Sequence, residues 1–190
     1  MAENNQKGGN QQKGTQDINQ LLKVRREKLK ELQDNGMDPF QITKYDVTAK
    51  AGIIKDNFEE YEGKEVSIAG RMMQKRVMGK ASFGNVQDVS GNIQIYVSRD
   101  ALGEEPYKLF KRMDIGDIVG VEGTVFVTQK GEKSIHATKV TLLSKSLQVL
   151  PEKFHGLTNV DTRYRQRYVD LIMNPEVKDT FITVSYTHLR

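Results

Sequence analysis

The sequence predicts a mainly β protein with flanking helices: a five-stranded barrel preceded by an N-terminal helix. Three observations lead there. Apolar and polar residues alternate with a period of two in three runs between residues 65 and 98, which sends one face of each strand inward and the other to solvent. A helical stretch at 104–113 interrupts them, and two more alternating runs follow between 117 and 147. Ahead of the strands, residues 17–34 place apolar side chains at helical spacing.

Residues 1–16 are Asn, Gln, Gly and Lys with Glu3 as their one acid, which predicts a disordered tail because almost nothing there can be buried. Residues 17–62 form an N-terminal helical extension. Asp17 and Gln20 resemble a capping box, and Ile18, Leu21, Leu22, Leu29 and Leu32 form the packing stripe. Asn35-Gly36 stops that helix and Asp38-Pro39 prevents its resumption. Its other face carries Lys23, Arg25, Arg26, Lys28 and Lys30 against Glu27, Glu31 and Asp34. That face suits either a solvated surface or a nucleic-acid partner. A second helix is predicted over 47–61, with Ile53, Ile54, Phe58 and Tyr61 on its apolar side and Gly63 at its end.

The barrel domain is predicted over 63–149. Val66, Ile68 and Met72 alternate with Ser67, Ala69 and Arg71 in the first strand, and residues 81–89 form the second. A Gly91-Asn92 turn precedes the third, where Ile93, Ile95 and Val97 alternate with Gln94, Tyr96 and Ser98. A helix at 104–113 with Pro106 in its first turn comes next, then strands at 117–128 and 134–147 around a 129–133 turn. Three strands, a helix and two strands within roughly 85 residues is the order of an OB-fold. Leu150-Pro151 begins a linker that leads to a helical segment at Thr162–Met173.

Composition narrows the chemistry. The chain has 190 residues, 29 Lys+Arg against 25 Asp+Glu, a net charge of +4 and no Cys. A disulfide framework, a zinc ribbon and a thiol nucleophile are therefore excluded. No apolar run approaches the roughly 18 residues of a membrane span, so the sequence predicts a cytoplasmic protein with no membrane partner. Gly79-Lys80 is not a P-loop, because Gln74 stands where the earlier Gly must be. His136, His155 and His188 are too scattered to suggest a metal site.

The alternation also separates a binding face from the core. If Ile93, Ile95 and Val97 point inward, Gln94, Tyr96 and Ser98 point outward. Gly84 and Val86 share one face of the second strand, and Phe83, Asn85 and Gln87 the other. An exposed ring then sits beside an amide and a tyrosine. Residues 71–80 border it with Arg71, Lys75, Arg76 and Lys80 and no acid, and Glu132 and His136 approach from the opposite rim. OB-folds bind oligonucleotides across this face; rings stack on bases, cations follow phosphates, and amides read base edges. A slip of one residue would bury Phe83 instead and remove the site.

The segments AGRMMQKRVMGKASF (69–83), QDVSGNIQIYV (87–97) and FHGLTNVDTRYRQRYVDLIMN (154–174), with RREKLKELQDNGMDPF (25–40), closely resemble the N-terminal region of bacterial-type class II lysine–tRNA ligases. The resemblance covers about residues 17–182. It implies that the barrel binds the tRNA anticodon, that Phe83 stacks on the central base and that Gln94 and Glu132 bond its edge. Arg76 and Arg71 correspond to cations near the anticodon stem-loop, and the first helix faces the tRNA. The parent enzyme joins lysine to ATP, transfers it to tRNA, uses Mg²⁺ and is a homodimer. The three class II motifs lie beyond this chain, so residues 150–183 read as a linker and the truncated start of a catalytic domain. No catalytic or metal residue is assigned, and the chain alone is expected to be inactive and to bind neither ATP nor Mg²⁺. VSYTHLR (184–190) departs from the family and resembles a reading frame of a transposon adapter, which predicts a non-native tail. The alternative is a free-standing OB-fold module for single-stranded nucleic acid.

Overall fold

A computed structural model describes the backbone of residues 7–151 and 160–188, with side chains from Ile18 onward. Its elements are α1 (Lys7–Asp34), α2 (Ala51–Asp56), α3 (Phe58–Tyr61), β1 (Glu65–Met78), β2 (Ala81–Gln87), β3 (Asn92–Ser98), α4 (Arg99–Leu102), α5 (Glu104–Arg112), β4 (Ile118–Val127), β5 (Lys133–Ser144), α6 (Val160–Arg165), α7 (Arg167–Met173) and α8 (Pro175–His188). The chain divides into two compact units, residues 1–149 and 150–190.

In the first unit the five strands close into a barrel in the order β1-β2-β3-β5-β4. β1 makes closure possible. Residues 65–71 pair with β4 and residues 71–78 with β2, with an irregularity between Met72 and Gln74 where the strand bends from one neighbour to the other. β3 and β5 pair in parallel and seal the ring. The cationic run 71–80 is therefore mostly strand, and the loop predicted there shrinks to Gly79-Lys80. Gly79 has φ 65°, the conformation that the first central residue of a type II′ hairpin needs.

The alternation sorts the barrel as its sequence predicts. Val66, Ile68, Met72, Val86, Ile93, Ile95, Val97, Val119, Val121, Val125, Ile135 and Ala137 all point into the core. Each larger side chain of this set contributes about 1.5–3 kcal/mol by leaving water. The helix α5 closes one end with Tyr107 and Phe110, both essentially inaccessible. The Tyr107 hydroxyl donates to the Gly79 carbonyl at 3.0 Å and lies 2.9 Å from Ser82 Oγ, so this ring ties the helix to the β1–β2 turn.

Four local expectations are corrected. The helix α1 starts at Lys7, not Asp17, so residues 7–16 are helical where composition predicts a tail; once a helix is nucleated, each added residue gains a hydrogen bond at small cost. Residues 1–6 lie outside the described residues. The 47–61 helix starts only at Ala51, where the Asp88 carboxylate accepts from Ala51 N–H at 2.7 Å and caps α2 from a distant hairpin, and it breaks at Asn57, whose backbone is non-helical, into α2 and α3. The extra turn α4 begins on the Ser98 side chain, which accepts from Ala101 N–H. The strand β5 ends at Ser144 instead of Leu147, because Ser146 N–H turns to the Asp117 carboxylate at 2.9 Å.

The stripe on α1 also differs from its sequence pattern. Leu22, Leu29 and Leu32 are half-buried, but Ile18 and Leu21 are 51% and 50% exposed. Arg25, assigned to the polar strip, is the buried one. Its guanidinium donates to the carbonyls of Ile115 (3.0 Å), Ser146 (3.1 Å) and Gln148 (2.6 Å). Lys28 donates to Asp114 Oδ1 at 2.7 Å, and Arg112 grips Glu31 with both nitrogens. The helix docks through charged groups as well as leucines.

In the second unit, the predicted 162–173 helix is broken at Gln166 into α6 and α7. Asp170 is inaccessible there and accepts from Asn174 Nδ2 (2.6 Å), Arg167 Nη1 (2.5 Å) and Arg163 Nε (3.2 Å). These bonds, the one from Asn174 foremost, hold its carboxyl below the usual range. The helix α8 runs through residues 184–188 of the segment set apart as non-native. Residues 152–159, which include FHGLTN, and 189–190 lie outside the described residues.

Candidate nucleic-acid interface

Strand register builds the site. Arg76 of β1 pairs with Phe83 of β2, Phe83 with Tyr96 of β3, and Tyr96 with His136 of β5. Paired residues share a face, and the buried neighbours Ser82, Gly84, Ile95 and Val97 occupy the other one. Four side chains from four strands thus form one row on the outside of the barrel. The Phe83 and Tyr96 ring centroids are 5.1 Å apart, and those of Tyr96 and His136 5.2 Å. Phe83 faces outward, as the alternation predicts.

One step along, Gln74, Asn85 and Gln94 form a parallel row of amides. Such groups offer a donor and an acceptor side by side, as a base edge requires. Glu132 is exposed in the β4–β5 loop, and Lys55 Nζ links it to the same end of β3, lying 3.8 Å from Glu132 Oε1 and 3.3 Å from Asn92 Oδ1. Beside the row, Arg76 and Lys80 are exposed cations.

Two members of the basic run are committed elsewhere. Arg71 donates to the Gly116 carbonyl at 2.7 Å, and burial lowers its guanidinium pKa from the usual value against the opposing charge of Asp117. Lys75 pairs with Gly84 on the inward side and donates to the Lys111 carbonyl at 2.9 Å and to that of Met113. It satisfies orphan carbonyls at the end of α5. Burial pushes its ammonium pKa down, with Asp114 partly offsetting the shift. Of the cations in 71–80, the structure leaves Arg76 and Lys80 facing solvent, whereas Arg71 and Lys75 hold the barrel end together.

Sequence reading passed over Phe126. Its ring centroid lies 6.2 Å from Tyr96 and 6.0 Å from His136, so it joins the aromatic face from β4. The signal was present: Val121, Gly123 and Val125 alternate inward, which forces Phe126 out. Gly123 also matters to this corner, since a Cβ there would lie 2.1 Å from the His136 carbonyl oxygen. Only a glycine lets β4 and β5 approach so closely beside the imidazole.

Residues 66–143, from the second residue of β1 to the penultimate residue of β5, match a family described as OB-fold nucleic acid binding domain, of the tRNA anti-codon type. The barrel is an OB-fold. Its wider relatives are equally definite. The chain is 54% identical over 168 residues to the lysine–tRNA ligase of Thermoanaerobacter sp. (strain X514), covering 88% of this chain and 34% of the relative. It is 56% identical to those of Clostridium botulinum (strain Langeland), over 86% of this chain and 32% of the relative, and Carboxydothermus hydrogenoformans, over 88% and 34%. The chain is thus a homologue of lysine–tRNA ligases and spans about a third of the length of the curated relatives it matches. Among the described residues, no group of three His, Asp or Glu could hold a metal ion, and no helix is long and apolar enough to cross a membrane.

Proposed function

We propose that the outer face of this OB-fold binds the anticodon loop of a lysine tRNA. The observation that carries the reading is the row Arg76–Phe83–Tyr96 with the Gln94 amide one step away. In this reading Phe83 stacks on the central anticodon base, Gln94 and Glu132 bond its edge, and Arg76 neutralises a phosphate. Arg71 supports the interface from behind, through its bond to the Gly116 carbonyl. Homology to lysine–tRNA ligases favours this reading over a free-standing single-strand binder.

The whole protein is proposed to couple lysine to ATP, release diphosphate and pass the lysyl group to tRNA, as a cytoplasmic homodimer using Mg²⁺. The described residues show no carboxylate or imidazole cluster suited to that ion. Their task is recognition.

The test is a titration of the chain with a fluorescent lysine-tRNA anticodon stem-loop. Replacing Phe83 by Ala should weaken binding by about 1–3 kcal/mol, the worth of one stacked base, with an unchanged unfolding curve. Equal affinity in the variant and the parent would overturn the stacking role. Equal affinity for unrelated loop sequences would point to the general single-strand binder.

A further inference from the structure

A cavity of about 480 Å³ lies in the first unit between the C-terminal half of α1, the short 3₁₀ turn Pro39–Gln41, α5 and β5. None of the residues assigned to the nucleic-acid face lines it. Its volume suits a small molecule, and its walls are apolar with a few polar groups, as such sites are. Leu32 of α1, Leu109 of α5, and Val140 and Leu142 of β5 supply the apolar surface. All four are only half-buried, so the chain itself leaves the space open.

The charges on the walls indicate what enters. Lys28 Nζ lies 2.7 Å from Asp114 Oδ1, Lys145 Nζ lies 2.8 Å from Asp117 Oδ2, and Arg112 grips Glu31. Each cation lining the cavity therefore has a carboxylate of its own. Asp38 has no such partner. It is half-buried, and its oxygens accept from neutral donors, Phe40 N–H at 3.0 Å and Gln33 Nε2 at 3.1 Å. An ionised carboxylate has acceptor sites beyond those two bonds. One uncompensated negative charge thus stands beside apolar surface. An anion there is repelled, and a neutral molecule leaves the charge unpaired as it displaces water.

We propose that this cavity binds an amphiphilic amine, with its apolar body on Leu32, Leu109, Val140 and Leu142 and its ammonium donating to the Asp38 carboxylate. Such a ligand touches α1 and the barrel at once, so its binding stabilises the docked helix by mass action. The site stands apart from the anticodon-loop reading and does not depend on it.

The chain contains no Trp, so an indole probe is the only indole fluorophore in the sample. Three probes share that ring and differ in the terminal group: tryptamine carries an ammonium, tryptophol a hydroxyl and indolepropionate a carboxylate. Each is titrated with the full chain, and the anisotropy of the ring is read. Tryptamine should bind about tenfold more tightly than tryptophol, the low end for a hydrogen bond to a charged group, and indolepropionate should bind most weakly. Asp38→Asn keeps a side-chain oxygen for Phe40 N–H and so preserves the turn. It should lower the affinity for tryptamine to that for tryptophol and leave tryptophol unchanged. Equal affinity of the parent for tryptamine and tryptophol overturns the ammonium–carboxylate contact. Tryptamine binding that is unaltered in Asp38→Asn overturns the site, and so does the absence of binding by all three probes. None of these results bears on Phe83→Ala and the anticodon loop, so the two readings fail separately.

Discussion

Two regions of the barrel use the same residue types for opposite ends. On the outer β2–β3 face, Arg76 and Phe83 stand toward solvent beside an imidazole nitrogen without a partner among the described residues. At the α5–β4 end, Lys28, Lys75, Asp114, Asp117 and Lys145 are bound to one another or to carbonyls. Lys145 Nζ, 1% exposed, lies 2.6 Å from Asp114 Oδ2 and 2.8 Å from Asp117 Oδ2. Asp117, fully buried, also accepts from the N–H groups of Asp114 and Ser146. A cation that is already paired has no capacity left for a phosphate, and a cation left in water has little effect on folding. Availability of partners separates a binding face from a structural one, and closeness in sequence does not: Lys75 and Arg76 are adjacent and fall on opposite sides of this division.

The largest effect should come from the structural end. Asp117→Ala leaves the inaccessible Lys145 with one carboxylate and strips two N–H groups of their acceptor, so denaturant unfolding should show a loss of about 3 kcal/mol, the lower range for breaking a buried ion pair. Binding of an anticodon stem-loop to the protein that remains folded should not change. A loss below 1 kcal/mol would mean that the ion cluster does not hold this end together.

A paired comparison sharpens the contrast further. Arg71→Ala should cost about 1–3 kcal/mol of stability by leaving the Gly116 carbonyl unpaired, with the salt dependence of RNA binding unaltered. Arg76→Ala should leave stability within about 0.5 kcal/mol and reduce the slope of log affinity against log salt by about 0.7, the release expected for one phosphate contact on a single strand. Exchange of the two outcomes would show that the division between faces is wrong.

The smallest effect is in acid. Burial alone would raise the Asp114 carboxyl, but hydrogen bonds from Lys145 and Lys28 outweigh it and hold the group below its usual value. Its folded pKa is thus lower than the unfolded value of about 3.9. The stabilisation is complete above that value and disappears as pH falls through the folded pKa. Thermal unfolding of the parent should therefore weaken more steeply below pH 4 than that of Asp114→Asn, and parallel curves would remove the carboxylate from the account.

Much of the barrel was legible because a period of two is a local signal with one consistent solution. The alternation at 66–72, 81–87 and 92–98 assigned the core, and the same rule turned Phe83 outward. The site was legible in part. Phe126 obeyed the alternation and was passed over because its strand carries no neighbouring amide or cation to draw notice. Arg25 was misread as surface charge, and the bonds of the half-buried Arg71 and Lys75 were not legible, because the carbonyls that hold them, those of Ile115, Gly116, Met113 and Ser146, are 38 or more residues away in sequence.

The amino-acid sequence by itself determined the succession of strands along the chain, the inward and outward faces and the outward placement of Phe83, since each follows from side-chain periodicity within a few residues. The tertiary structure decided which charges are free, where α2 and β5 begin and end, and that the aromatic face reaches from β2 to β4. Those outcomes depend on which distant polar groups closure of the barrel brings together, and hydrogen-bond partners across a closed sheet leave no local pattern in the chain.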